Sequence, residues 1–185
     1  YKYPSRAYNT VILPKEIEYI PKIPDKPKFK MNVIKTELPG IMTFQETINI
    51  NSHLSDWNKI LENHNLCHLA VIERHGKNGE YAHGFLKNFN LKYGAVASSV
   101  GHDAHNIIVA GLNEIDMKIA VDIINDFQGG IVIVNKGKLI SSVKLPIAGL
   151  LSDKKASEVA AENIKFKKSW EDAGCTLPYM GFNLL

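Results

Sequence analysis

The chain has 185 residues, 45% of them apolar, with 22 Lys and Arg against 19 Asp and Glu for a formal net charge of +3. That length and apolar content suffice for one ordinary domain with a real core and exclude a chain disordered throughout. The charge is too mild to mark a nucleic-acid or membrane surface, and no stretch reaches the roughly 20 continuous apolar residues of a membrane span.

Two cysteines, Cys67 and Cys175, lie far apart and outside any CxxC pair. They support neither a disulfide framework nor a zinc site, and a reducing, cytoplasmic compartment is the default expectation. The start, Tyr1-Lys2-Tyr3-Pro4, has neither an initiator Met nor the apolar core of a signal peptide, so the chain is expected to be a piece of something longer.

Proline dominates the first part: Pro4, Pro14, Pro21, Pro24, Pro27 and Pro39. Residues 19–30 alternate Pro and Lys, which excludes a helix or a central strand and predicts an extended, semi-rigid linker. Before it, residues 8–13 are apolar and β-branched and read as a short strand of an upstream domain. Residues 1–30 are therefore expected to be junction and linker, and residues 31–185 a single domain.

From Met31 onward the texture changes. Residues 32–37 and 43–50 read as strands around a Pro39-Gly40 turn. Residues 56–62 suit a short helix. Residues 67–73 form an apolar strand that ends in charge, Glu73-Arg74-His75. Asn78-Gly79 and Gly84 punctuate a loop, and residues 85–89 are ambiguous. Residues 95–100 and 107–110 read as buried strands.

The clearest helix follows. Asn113 is a candidate N-cap, with Glu114 and Asp116 in the first turn where the helix dipole favours acids. Met117, Ala120, Val121, Ile124 and Phe127 share one face, and Gly129-Gly130 is the expected stop. Residues 131–134 and 139–145 flank a hairpin turn at 135–138. A second main helix is expected from Ser152 or Asp153 to Gly174, with Val159, Ile164, Phe166 and Trp170 along it. The cluster Lys165-Phe166-Lys167-Lys168 reads as a solvated face. The fold class is α/β, with α+β the alternative: a mixed sheet and two main helices, preceded by the Pro/Lys linker.

One stretch concentrates polar chemistry. Ser98-Ser99-Val100-Gly101-His102-Asp103-Ala104-His105-Asn106 lies between two apolar runs. An unpaired buried polar group costs about 1–3 kcal/mol, so such a cluster calls for a full hydrogen-bond network or a ligand. His102 and His105 are three apart, which on a helix would suit a metal, but the flanks predict strands and a turn. Three readings stay open: a structural turn, a polar ligand site, or a metal site within the chain. Glu73 and Arg74, at a strand end, are further candidates. His53, His64 and His68 lack partner spacing and read as surface or core-edge residues.

Several strings together resemble one family: Val71-Ile72-Glu73-Arg74-His75, Gly84-Phe85-Leu86-Lys87, Gly94 through Asn106, Asp116-Met117, Gly129-Gly130-Ile131-Val132, and Leu145-Pro146-Ile147-Ala148-Gly149-Leu150-Leu151-Ser152-Asp153. In that order they resemble the C-terminal domain of bacterial and archaeal adenine deaminases of the amidohydrolase superfamily, from about Asn32 onward. Tyr8-Asn9-Thr10-Val11 is similar to the junction where the family's catalytic barrel hands over to this domain.

The resemblance implies hydrolysis of adenine to hypoxanthine and ammonia by a metal-activated water. A divalent metal (Mn, Fe or Zn) would be held by a barrel that this chain lacks: no His-x-His pair occurs in it. No metal ligand is expected here, and the chain alone is expected to be inactive. Gly76 stands where the family has a second histidine after Glu-Arg-His, and the chain is expected to stop short of the family's last strands. His102, Asp103, His105, Asn106, Ser98, Ser99, Glu73 and Arg74 are the candidates for purine contact or for holding barrel ligands. The expected partners are adenine, the remainder of the polypeptide and a second copy of the chain, with no nucleic acid and no membrane. The alternative is a structural cap or oligomerisation domain without catalytic contact.

Overall fold

A computed structural model of the protein describes residues 3–37, 43–51, 56–175, 177 and 182. The expected Pro39-Gly40 turn and His53 lie outside them. Eight strands form one sheet in the order β2-β1-β4-β3-β6-β5-β7-β8. They are β1 (Lys28–Thr36), β2 (Thr43–Asn51), β3 (Leu66–Ile72), β4 (Tyr81–Lys87), β5 (Ala95–Ser98), β6 (Ile107–Gly111), β7 (Gly130–Asn135) and β8 (Lys138–Lys144). The β1–β4 pair is parallel and every other pair is antiparallel, so the sheet is mixed. The α-helices named among the described residues are α1 (Trp57–His64), α2 (Glu114–Phe127) and α3 (Ala156–Asp172). The fold is α/β, as the element pattern predicts.

The central strands β5, β6 and β7 are continuous apolar runs because both of their faces are covered. Alternate residues go to opposite sides. Ala95, Ala97, Val109, Val132 and Val134 pack under α2 through Met117, Ala120, Val121 and Ile124. Val96, Ile108, Ile131, Ile133 and Val143 face Phe166 and Trp170 of α3. Each large apolar side chain buried this way contributes about 1.5–3 kcal/mol. Gly111 sets how closely α2 sits: a Cβ there would lie 2.4 Å from Met117 Cγ. On the outer strands, Ile60 and Leu61 of α1 cover Val33, Ile48, Ile50 and Phe85.

Several boundaries differ from the sequence reading, each for a local reason. Gly84 lies inside β4, fixed by its pairing with Leu69, a long-range match that local glycine content hides. Gln128 ends α2 in the left-handed conformation (φ 59°), ahead of Gly129-Gly130, and its own side chain stabilises that turn through Asn125 O. Lys155, not Ser152 or Asp153, is the N-cap of α3; its N–H donates to Glu158 Oε2 at 3.1 Å. Ser152 instead takes the Lys154 N–H. Ile164 points outward, 74% exposed. The hairpin turn is the two-residue Lys136-Gly137, both at positive φ. His68 is buried in the core, 1% exposed, rather than at its edge. Cys67 and Cys175 are free thiols within one apolar cluster.

Residues 9–23 run extended across the α2 face, as their prolines require. Val11 and Tyr19 are buried there. Ser5–Tyr8 is a 3-10 turn, and Ile12 forms an isolated parallel bridge to His75. Gln128 Oε1 accepts the N–H groups of Thr10 (2.9 Å) and Val11 (3.1 Å).

Candidate functional site

Four segments converge at one end of the sheet: the β3–β4 loop, the β5–β6 loop, the turn after β8, and the chain around Thr10. Arg74 joins them. It is 1% exposed. Its Nε donates to His105 O (2.5 Å), one terminal nitrogen to Thr10 O (2.9 Å) and the other to Ala148 O (3.0 Å). A planar guanidinium is the one side chain whose rigid fork can serve three carbonyls in three directions. Burial draws its pKa down from the ordinary value while neighbouring Glu73 pushes it up. Gly149 (φ +73°) is required beside it, since a Cβ there would lie 2.8 Å from the Arg74 Cζ.

Glu73 is held just as locally. Its carboxylate accepts the backbone N–H groups of His75 (2.5 Å), Lys77 (3.1 Å) and Gly79 (3.4 Å). Burial alone would raise its pKa, but those N–H groups outweigh it and hold the carboxyl below its ordinary value. Ser99, fully buried, accepts the Gly130 N–H (2.8 Å) and donates to Gly149 O (2.6 Å), tying the β5–β6 loop to β7 and to the turn after β8. Ser98 closes a small turn with Val100, accepting its N–H at 3.0 Å.

In the rest of the polar string, residues 102–104 are exposed and His105 and Asn106 are half-buried. His102 and Asp103 side chains are 65% and 90% exposed and meet one another at 3.2 Å (Nε2 to Oδ1). Ala104 O takes His75 Nε2 at 2.9 Å. His105 sits at positive φ (51°) with its N–H on Gly101 O. Its carbonyl is held by Arg74, and its Nδ1 is buried without a hydrogen-bond partner. Asn106 is half-buried, immediately before β6. The structure thus gathers Glu73, Arg74, Ser98 and Ser99 into a satisfied support and leaves His102, Asp103 and His105 at its edge.

Among the described residues, no three His, Cys, Asp or Glu side chains stand together as a metal site. Two contributors were not visible in the sequence. Gln128 acts through a side chain that reaches back across the N-terminal segment. Asp116, read as a dipole partner, is buried and accepts the N–H groups of Lys136 (3.2 Å) and Gly137 (2.7 Å), which fixes the β7–β8 turn.

Comparison with known proteins bears directly on this arrangement. Residues 40–185 match the adenine deaminase C-terminal domain family. Over its whole length the chain is 53% identical to an adenine deaminase of Chelativorans sp. and 55% identical to adenine deaminase 2 of Bradyrhizobium sp.. An adenine deaminase of the archaeon Methanococcoides burtonii is 37% identical over 96% of the chain. The chain spans about 31% of the length of these relatives.

Proposed function

Because this chain belongs to the adenine deaminase C-terminal domain family, we propose that it forms one wall of a site where adenine is hydrolysed to hypoxanthine and ammonia. Residues 1–30 are the junction to a catalytic barrel and residues 31–185 the domain that closes against it. A divalent metal (Mn, Fe or Zn) held by that barrel would supply the activated water; among the described residues of this chain no three His, Cys, Asp or Glu side chains stand together to hold one.

The observation that carries the reading is the division of labour around Arg74. Arg74, Ser98 and Ser99 hold the β5–β6 loop by hydrogen bonds to backbone, Glu73 orders the β3–β4 loop beside it, and a loop held so firmly keeps its side chains in place. His102, Asp103, His105 and Asn106 are the groups so placed. A purine edge alternates donors and acceptors, and imidazole, carboxyl and amide match both. The buried, unpartnered His105 Nδ1 is the atom with most to gain from such a contact.

The protein acts in the cytoplasm with the remainder of its polypeptide, as a homo-oligomer, without nucleic acid or membrane. The mild net charge supports the reading without a nucleic-acid or membrane surface, and no helix among the described residues is long and apolar enough to cross a membrane.

The test is His105→Ala in the complete enzyme. A fall in kcat/KM for adenine of about tenfold or more, with an unchanged melting temperature, is expected for loss of one contact in a desolvated site. Unchanged kcat/KM removes His105 from the site. His102→Ala that lowers the melting temperature while turnover per folded molecule stays constant favours the structural-cap reading, which the saturation of Arg74 and Ser99 also suits.

A further inference from the structure

The other end of β3 carries a group that the proposed reaction does not use. Neither ring nitrogen of the buried His68 has a hydrogen-bond partner. Trp57 and Phe85 stand against the imidazole, each with a centroid distance of 5.4 Å. An imidazole left so costs about 1–3 kcal/mol, and a Leu at this position would avoid the penalty. Burial draws its pKa down to about 4, with His83 adding to the effect, so the ring is neutral near pH 7. A neutral imidazole keeps one N–H donor and one lone pair.

A cavity of about 390 Å³ opens over this ring. Ile20, Ile23, Trp57 and Leu112 give it apolar walls, and Asp56, Asn113 and Glu114 stand at its rim. The N-termini of α1 and α2 both end there, but Asp56 and Asn113 already cap them. The carboxylates of Asp56 and Glu114 oppose an anion at the mouth. What remains is an apolar, aromatic-walled recess with the His68 ring at its base, in the size range of small-molecule sites. The His68 nitrogens are themselves sealed from solvent and Trp57 Nε1 donates to Pro21 O at 2.7 Å, so a ligand that bonds them must displace part of the wall to which Ile20 and Ile23 contribute.

We propose that this recess binds an uncharged, planar nitrogen heterocycle, which stacks on Trp57 and completes the hydrogen bonding of His68. The site is separate from the polar string and does not rest on the deaminase reading.

Benzimidazole is a suitable probe: it is planar, has one N–H and one lone pair, and carries no amino group to hydrolyse. Calorimetric titration into the complete polypeptide is compared with His68→Leu and Trp57→Leu. One binding event per chain is expected to weaken about tenfold or more in both variants, as the loss of a buried contact implies, while adenine turnover stays at the wild-type level in all three. Equal stoichiometry and affinity across the three proteins overturns the proposal. So does a crystal structure with benzimidazole present in which only an ordered water touches His68. Adenine turnover reports on the deaminase reading by itself, so the two failures are distinguishable. Should His68→Leu fold poorly, Trp57→Leu carries the comparison alone.

Discussion

Replacing Arg74 by Met keeps most of the side-chain stem and removes the fork. Three hydrogen bonds from a charged donor disappear, to His105 O, Thr10 O and Ala148 O. Such bonds contribute about 1.5–3 kcal/mol each. Part of that loss is offset, because the variant no longer desolvates a guanidinium, and two of the three loops can loosen toward water. A net destabilisation of about 3 kcal/mol is expected, against a total of about 5–15 kcal/mol for a domain. Urea unfolding followed by Trp fluorescence measures it, with Trp170 buried in the core as reporter. At an m-value of about 1–3 kcal/mol/M the midpoint should fall by about 1–3 M. Arg74→Lys should be nearly as damaging, since one ammonium cannot point in three fixed directions. If Arg74→Met stays within about 0.5 kcal/mol of wild type, or Lys restores full stability, the guanidinium does not hold these loops together.

Ser99→Ala should cost about 2–3 kcal/mol in the same assay, because it strands the Gly130 N–H and Gly149 O in the interior. Ser98→Ala, which removes only a local turn contact, should cost clearly less; equal losses would refute the distinction. For His68 the folded pKa of about 4 lies below the ordinary 6.5. The unfolded chain therefore takes up a proton that the folded chain refuses. Stability is full above pH 6.5 and declines as the pH falls toward about 4, by an amount of order 3 kcal/mol. His68→Leu should flatten that limb of the midpoint-against-pH curve, and identical slopes in both proteins would show that His68 is not the group responsible.

The elements set by local chemistry were legible in the sequence. The amphipathic face and Asn113 cap identify α2, and the Asn113 side chain accepts the Asp116 N–H at 2.8 Å. The apolar runs identify β5, β6 and β7. What stayed hidden depends on distant pairing. Gly84 looks like a turn residue until Leu69 is placed opposite it. His68 looks peripheral until Trp57 and Phe85 close around it. In the polar string the residue types were readable, but their split was not. Ser99 and Arg74 point to backbone groups far along the chain, and only the fold shows which polar atoms those partners consume and which remain for others.

The attachment of residues 9–13 has a mechanical consequence. Arg74 grips Thr10 O while Gln128 grips the N–H groups of Thr10 and Val11, so the peptide unit between Thr10 and Val11 is held at both its C=O and its N–H. A pull on the chain ahead of Thr10 loads both grips in parallel, so the segment must tear free as a unit instead of unzipping bond by bond. Because Arg74 also holds His105 O, tension arriving along the proline-rich strap is delivered to the loop that carries His102 and His105. A displacement of Thr10 would reach that loop through the Arg74 guanidinium.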